Sequence, residues 1–281
     1  SKLLLACVVL LAFSGCSKEP DLSIFRMSIK NEPPTLDGTL ATDSVSFTVL
    51  TNLMEGLTQY DSDLNPTPAI AKRWEYSNEG RTITFYLRED AFWSDGKRVT
   101  ARDFEYSWKR LLAPETAAQY AYFLFDIKNA SEYNSGILKN SDQVGVRAVT
   151  ESILEVTLKK PVVYFPSITT FMVTYPLRQD IIEKYGDQWT EPENTVTNGP
   201  YLLEEWQHEY KLVLKANPKH YEGRPQINEV HIFVVQEPTT ALTLYETGEM
   251  DYIELPPIAI PHYEKNAEYR NKPQLRGYYY G

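Results

Sequence analysis

The sequence predicts an α/β protein with mixed sheets, on the basis of three observations. Short runs with an apolar residue at every second position, such as Ile83, Phe85 and Leu87, are typical of half-buried strands. Longer runs with apolar residues three and four positions apart, as in residues 100–112, are typical of amphipathic helices. Because the two kinds of run mix along the chain without strict alternation, mixed sheets are favoured over a simple parallel sheet.

The N-terminus predicts a processing signal rather than a folded element. An apolar run over residues 3–13 is shorter than the ~20 residues that a bilayer-spanning helix needs. It ends in Phe-Ser-Gly-Cys, which resembles a bacterial lipoprotein signal whose cysteine, Cys16, carries the lipid. We expect a signal over residues 1–16, a lipid anchor on Cys16 and a polar tether over residues 17–23. A plain secretory signal is the alternative.

The composition argues against some classes of function. The formal net charge of −10 over 281 residues is unfavourable for nucleic acid as a partner, because phosphates require a basic face. The two cysteines, Cys7 and Cys16, both lie in the predicted signal, so no disulfide or thiol chemistry is expected in the rest of the chain. The 20 tyrosines and 5 tryptophans suit either a wet binding surface or ordinary half-buried sheets.

Hairpins account for most of the predicted strands. In each hairpin, two runs of strand-forming residues flank a short polar or glycine-containing turn. A longer run rich in β-branched residues, 227–235, predicts one further strand, and Asp95-Gly96 predicts a tight turn. The hairpins are residues 74–88 with a turn at 78–80, residues 146–158 with a turn near Glu151, and residues 201–218 with a turn near His208.

The clearest helix is predicted to begin after Thr100 and to end at Pro114. Thr100 is a suitable N-cap residue, and Asp103 stands at the capping-box position. The apolar residues of the face that we expect to be buried are Phe104, Trp108 and Leu111. Further helices are predicted over residues 115–127, 178–186 and 238–249, and glycine helps to end the last two.

The sequence lacks the familiar motifs of catalysis, metal binding and nucleotide binding. It contains no HExxH, CxxC, GxSxG, GxGxxG or P-loop pattern. The adjacent carboxylates Glu204 and Glu205 are interpreted as solvated charges, with a glycosidase pair as the remote alternative. We therefore expect a binding protein rather than an enzyme, with no cofactor and no metal. The four histidines, none of them spaced as a pair of metal ligands, are His208, His220, His231 and His262.

Several long blocks of the sequence resemble the oligopeptide-binding proteins of bacterial ABC importers. The blocks occur in the order typical of that family, and the resemblance extends over residues 24–281. The lipoprotein signal is consistent with it, since such binding proteins are tethered beside their transporter. The blocks are residues 33–43 (PPTLDGTLATD), 52–71 (NLMEGLTQYDSDLNPTPAIA), 71–114 (beginning AKRWEYS and including FWSDGKRVTARDFEYSWKR), 196–223 (VTNGPYLLEEWQHEYKLVLKANPKHYEG) and 238–252 (PTTALTLYETGEMDY).

The resemblance implies a fold like that of the type II periplasmic binding proteins, in their peptide-binding cluster. It implies that this chain is the first lobe, formed by residues 24–55 and 180–281, with an inserted subdomain over residues 56–179. Members of the family continue into a second lobe, which holds the acidic anchor for the amino group of the peptide. This sequence contains no counterpart of that lobe, so we expect either a fragment or truncated gene product, or a protein that has lost the usual closure.

The resemblance also implies a function and a site. We expect a monomeric binding protein on the periplasmic or extracellular face of the cell envelope. It would capture oligopeptides between two lobes and deliver them to the ABC permease subunits. Alternatives are a relative that binds a cell-wall peptide, a metal chelate or haem, and a surface lipoprotein with an adhesion or chaperone role. The residues carried over to the peptide site are Thr42, Ser44, Tyr120 and Tyr279.

Overall fold

The computed structural model describes residues 23–270 of the chain. The strands are β1 (Ile24–Ile29), β2 (Thr58–Tyr60), β3 (Pro66–Pro68), β4 (Ala71–Ser77), β5 (Thr82–Leu87), β6 (Val146–Thr150), β7 (Ile153–Thr157), β8 (Tyr201–Gln207), β9 (Lys211–Ala216) and β10 (Glu229–Val234). The α-helices are α1 (Ser44–Leu53), α2 (Ala101–Leu112), α3 (Ala130–Asn134), α4 (Phe165–Ile168), α5 (Gln179–Tyr185), α6 (Pro238–Glu246) and α7 (Ile260–Tyr263). The 3₁₀ turns are Asn78–Gly80, Pro114–Thr116, Ala121–Leu124, Ser141–Gln143, Met172–Thr174, Gly186–Thr190 and Pro257–Ala259.

The first four-stranded sheet is mixed, as the sequence predicts. Its strand order is β1-β10-β9-β8, in which β1 pairs parallel with β10 and the other pairs are antiparallel. Ile232 of β10 lies opposite Leu212 of β9, and both side chains are fully buried. The predicted hairpin over residues 201–218 is confirmed as β8 and β9, with Glu209 of its turn at a φ of +61°.

The second four-stranded sheet is antiparallel throughout, with strand order β4-β5-β7-β6. It contains the two other predicted hairpins. Ile83, Phe85 and Leu87 are buried, as their alternation predicts, and α2 packs across this face of the sheet. One continuous apolar core contains residues of both four-stranded sheets, including Phe85 and Leu214. The proposed division into a lobe and an inserted subdomain stays a prediction.

Helix α2 confirms the prediction for residues 100–114. The backbone N–H of Thr100 donates to Asp103 Oδ2 over 2.7 Å, which is the carboxylate half of a capping box, and the Thr100 hydroxyl donates to the same oxygen over 3.0 Å. Pro114 opens a 3₁₀ turn immediately after the helix ends. The apolar face is fully buried and consists of Phe104, Trp108 and Leu111.

The turn before α2 is fastened to α5 by a buried arginine. Gly96 has a φ of +88°, a conformation that glycine adopts without strain. Arg178 is only 5% exposed, and its Nη1 donates to both carboxylate oxygens of Asp95 over 3.0 and 2.9 Å. Its Nε donates to Asp180 over 2.8 Å. This network connects the turn before α2 to the first turn of α5.

The helix predicted over residues 115–127 is wrong. The segment forms two short 3₁₀ turns, and Ala117 between them has a φ of +50°, which interrupts any continuous helix. The buried residues after that break recur at every third position, which is the period of a 3₁₀ helix rather than an α-helix. They are Ala118, Ala121, Leu124 and Ile127.

The remaining predicted elements are confirmed. Residues 227–235 contain β10, and residues 178–186 and 238–249 contain α5 and α6. Gly186 caps α5 with a φ of +53°, and Gly248 follows α6 with a φ of +77°. Across the range 23–270, no helix is both long enough and apolar enough to cross a membrane.

Candidate functional site

Tyr120 occupies the position before the 3₁₀ turn Ala121–Leu124, in the segment that follows α2. Its side chain is half-buried. Its hydroxyl donates to the backbone carbonyl of Thr42 over 3.2 Å. Two of the residues predicted for the site, which are 78 positions apart in the chain, are therefore in direct contact.

Thr42 and Ser44 belong to residues 37–44, which we call the wall segment. The segment leads into α1, whose first residue is the exposed Ser44. Asp43 caps the helix, because its Oδ1 accepts from the backbone N–H groups of Val45 and Ser46 over 3.0 and 2.8 Å. The wall segment thus has a fixed junction with α1, and it contacts Tyr120 through the backbone carbonyl of Thr42.

The rings around Tyr120 form an aromatic cluster, defined as Phe47, Tyr120, Tyr122, Phe123 and Phe171. Phe123 and Phe171 have ring centroids 4.8 Å apart, and Tyr122 stacks on Phe123 at 4.7 Å. Rings at these separations attract each other and give a stiff apolar surface. Together with the Tyr120 hydroxyl, the cluster offers packing and hydrogen bonding at one place, which suits a ligand with apolar side chains and a polar backbone.

Sequence reasoning missed most of this cluster. Phe47 lies on α1, and Phe171 directly precedes the turn Met172–Thr174. Both are far from Tyr120 in the chain. The signal that could have found Phe123 is the aromatic-rich run Tyr-Ala-Tyr-Phe-Leu-Phe that starts at Tyr120. The site predictions for Tyr279 and Cys16 lie outside the described residues, and the ligand-binding role of all these residues stays a prediction.

A partly buried ion pair joins the wall segment to α2. Arg110 of α2 donates from Nη1 to Asp37 Oδ1 over 2.9 Å and from Nη2 to Asp37 Oδ2 over 2.6 Å. The Asp37 side chain is only 6% exposed. The pair was not predicted, because opposite charges 73 positions apart leave no periodic signal in the sequence.

A second carboxylate joins β1 to the β8–β9 hairpin just beyond the end of β1. Glu32 Oε1 accepts from the indole N–H of Trp206 over 2.8 Å and from His208 Nδ1 over 2.7 Å. Glu32 Oε2 accepts from the backbone N–H of Glu209 over 2.9 Å. The hydrogen bond with Glu32 raises the pKa of His208 above its ordinary value, and Glu191 at 3.5 Å acts in the same direction. We call this arrangement the Glu32 clasp.

Side chains that could together hold a metal ion are not brought together in the part of the chain that the structure describes. Within residues 23–270, no three histidine, cysteine, aspartate or glutamate side chains are placed to hold a metal ion. The carboxylates of Glu204 and Glu205 are paired with lysines, at 3.7 Å from Lys215 and 3.2 Å from Lys211.

Comparison with known proteins identifies what the chain resembles. The family of bacterial extracellular solute-binding proteins, family 5 (middle part), matches residues 65–281. The periplasmic oligopeptide-binding protein OppA of Salmonella typhimurium is 38% identical over 236 residues, which are 82% of this chain and 43% of that protein. The probable deoxycholate-binding periplasmic protein YgiS of Escherichia coli is 33% identical over 262 residues, which are 92% of this chain and 49% of that protein.

The solved structures agree in fold and in extent. The substrate-binding domain of an oligopeptide ABC transporter from Bacillus anthracis superposes with a TM-score of 0.83 at 38% identity. The match covers 88% of this chain and 48% of that one. The chain thus spans about half the length of the curated relatives it matches.

Proposed function

The chain belongs to the bacterial extracellular solute-binding proteins of family 5, and on this premise we propose that it is one lobe of an oligopeptide-binding protein of an ABC importer. The predicted family and the predicted α/β fold of the type II periplasmic binding proteins are both confirmed. Members of the family are solute-binding proteins, which fits a site without catalytic groups. The substrate and the partners of the whole protein remain part of the proposal.

The contact between Tyr120 and Thr42 carries this proposal. It places a hydroxyl, the wall segment and the aromatic cluster on one surface. An extended peptide needs hydrogen-bonding groups for its main chain and apolar surface for its side chains. This surface provides both. We propose Thr42, Ser44 and Tyr120 as ligand-binding residues, and we include Tyr279 from the sequence alone.

The proposed mechanism requires two lobes. A peptide that is bound to one lobe alone remains in contact with water on its other side. Its hydrogen bonds to the lobe then compete fully with hydrogen bonds to water. Closure of a second lobe over the peptide removes that water and satisfies the remaining main-chain groups. The closed form is then the state that the permease subunits recognise, as in other hinge-closing binding proteins. Coverage of about half of the relatives supports assigning this chain to one of the two lobes.

We propose that the protein acts as a monomer at the periplasmic or extracellular face of the envelope. The lipid on Cys16 would hold it at the membrane surface, and residues 17–23 would form the tether. The apolar run before Cys16 and the small residues next to it support the anchor. An anchored receptor stays near its permease, which raises the local concentration of captured peptide.

The test is calorimetry with a mixed library of tri- to pentapeptides. Residues 17–281 alone are expected to bind weakly or not at all, whereas the chain extended through a second lobe is expected to bind tightly. Tight binding by the shorter chain would place the site wholly within this lobe. Failure of both to bind peptides, with capture of deoxycholate, a metal chelate or haem instead, contradicts the proposed substrate. Failure to bind any of them favours the adhesion or chaperone alternative.

A further inference from the structure

The ion pair between Arg110 and Asp37 connects α2 to the wall segment. It is bidentate, with N–O distances of 2.9 and 2.6 Å. Two parallel hydrogen bonds from a planar guanidinium fix the plane of the carboxylate as well as its distance. A lysine would supply the same charge without fixing that plane. The pair is therefore suited to setting an orientation.

Hydrogen bonds connect Asp37 to the residues that follow it in the wall segment. Its Oδ1 also accepts from the backbone N–H of Thr39 over 2.9 Å. Its carbonyl oxygen accepts from the N–H groups of Leu40 and Ala41 over 3.0 and 2.9 Å. The turn over residues 38–40 is thus built on one buried aspartate, and it ends directly before Ala41 and Thr42. We therefore expect a change in the position of Asp37 to move the carbonyl of Thr42.

The same helix also determines where Tyr120 lies. Arg110 stands in the last turn of α2, and the chain runs from there through Pro114 to Tyr120. Tyr120 then donates back to the carbonyl of Thr42. The contacts lead from α2 through Asp37 and Thr42 to Tyr120, and the chain leads from Tyr120 back to α2. Both partners of the Tyr120–Thr42 bond are therefore connected to the same helix.

We infer that Arg110 is a positioning residue for ligand binding. Through Asp37 it holds the wall segment in the position where the Thr42 carbonyl accepts the hydrogen bond of the Tyr120 hydroxyl. Its effect on ligand affinity rests on the proposed function, whereas its effect on Tyr120 rests on the contacts alone. A purely stabilising role does not explain the arrangement well, because buried ion pairs contribute little net stability compared with apolar packing.

Arg178 provides a matched control. It is buried, whereas Arg110 is partly buried, and like Arg110 it binds carboxylates through its guanidinium, at Asp95 and Asp180. None of those groups belongs to the wall segment or the aromatic cluster. Arg178→Lys should therefore disturb the fold in a comparable way without moving Tyr120.

The first experiment follows Tyr120 directly. A 3-fluorotyrosine placed at position 120 gives a single ¹⁹F resonance that reports on its hydroxyl and its ring neighbours. Arg110→Lys and Asp37→Asn are each expected to shift or broaden this resonance, and Arg178→Lys is expected to leave it in place. Using two variants of the ion pair protects the test if one of them folds poorly. An unmoved resonance in both, or an equal shift with Arg178→Lys, overturns the inference.

The second experiment measures binding of the tri- to pentapeptide library by the chain extended through a second lobe. Arg110→Lys should weaken affinity roughly 2- to 30-fold, which is the usual range for residues that act on a site from a distance. If it acts through the Tyr120–Thr42 bond, the loss must be smaller in a Tyr120→Phe background. Additive losses overturn the inference. If the wild type binds no peptide, the proposed function fails, while the fluorine experiment still decides the positioning role.

Discussion

The indole N–H of Trp108 donates to the carbonyl oxygen of Thr174 over 2.7 Å, and both residues are fully buried. This bond ties α2 to the turn Met172–Thr174, which follows Phe171 of the aromatic cluster. The Trp108 ring also packs edge-on against Phe165, with ring centroids 6.0 Å apart. The helix therefore holds one side of the candidate site in place through a fully buried side chain.

Replacing Trp108 by alanine is expected to destabilise the protein by about 3–5 kcal/mol, as for other large truncations in a core. The loss combines a large cavity with an unpaired buried carbonyl at Thr174. The free energy of unfolding, measured by urea denaturation, is the test. Val163→Ala is the control, because Val163 is 86% exposed and should tolerate the change. Similar small effects for both variants would contradict the packing described for α2.

Gly96 allows a second stability prediction that involves backbone alone. Its φ is +88°, and no atom beyond its chain neighbours lies within 4 Å of the position that a Cβ would take. Gly96→Val should therefore cost about 1–2 kcal/mol from the left-handed backbone and not from a clash. Gly96→Asn should cost less, since asparagine tolerates this conformation better. Thermal melts that rank valine level with asparagine would show that the backbone conformation is not the cause.

Local signals explain why α2 was predictable. Its cap, its apolar period and its terminating proline all lie within residues 100–114, so no tertiary information was needed. The segment 115–127 was mispredicted because its apolar residues fit more than one helical period. Only the left-handed Ala117 breaks the path, and alanine is otherwise the residue that most favours a helix.

The candidate site was predictable only in part, for a physical reason. Tyr120 and Thr42 were reached through the family resemblance, and their contact could not be read from the sequence. The Arg110–Asp37 pair and the approach of Phe171 to Tyr120 depend on how distant segments pack. A single charged or aromatic residue forms no repeating pattern in the sequence. No local signal therefore distinguishes these residues from charged and aromatic residues at the surface.

The Glu32 clasp predicts a dependence of stability on pH. The bond with Glu32 raises the pKa of His208 above its ordinary value of 6.5, so the folded state binds a proton more tightly than the unfolded chain does. The contribution is therefore fully present below pH 6.5 and is lost as the pH rises through the higher folded-state pKa. Because the His208 side chain is 56% exposed, we expect a small effect that salt reduces.

The measurement is the difference in unfolding free energy between the wild type and His208→Gln from pH 5 to pH 9. The difference should shrink as the pH rises. His262→Gln is the matched control, because His262 is exposed and has no carboxylate contact of the kind that Glu32 provides. A difference for His208→Gln that stays constant or grows with pH would show that the sign of the linkage is wrong.

The proposed anchor is tested by Cys16→Ser. If Cys16 carries a lipid, the variant should move from the membrane fraction to the soluble fraction, and metabolic labelling with a fatty acid should no longer mark the protein. Cys7→Ser is the control, because Cys7 lies within the apolar run and should not affect lipid attachment. Wild type that remains soluble and unlabelled would remove the anchor from the proposed function.

Tyr120→Phe tests the proposed ligand site with the smallest possible change. Phenylalanine keeps the ring within the aromatic cluster, whereas the hydroxyl that donates to the Thr42 carbonyl is lost. The wall segment then loses one of its attachments, and a peptide loses one hydrogen-bonding group. We expect affinity for the tri- to pentapeptide library to fall by about 0.5–1.5 kcal/mol, the usual net value of one hydrogen bond.

The control for this change is Tyr164→Phe. Tyr164 also donates its hydroxyl, to Asp126 over 2.8 Å, but it is 52% exposed and lies outside the aromatic cluster. Calorimetry on the chain extended through a second lobe should show a loss for Tyr120→Phe and none for Tyr164→Phe. Since the ring packing is unchanged, the thermal midpoint of Tyr120→Phe should fall only slightly, because the one hydrogen bond to the Thr42 carbonyl is lost. If Tyr120→Phe binds peptides as tightly as the wild type, the Tyr120 hydroxyl is not part of the site. If both variants lose the same affinity, the loss comes from a general effect on the fold rather than from the contact between Tyr120 and Thr42.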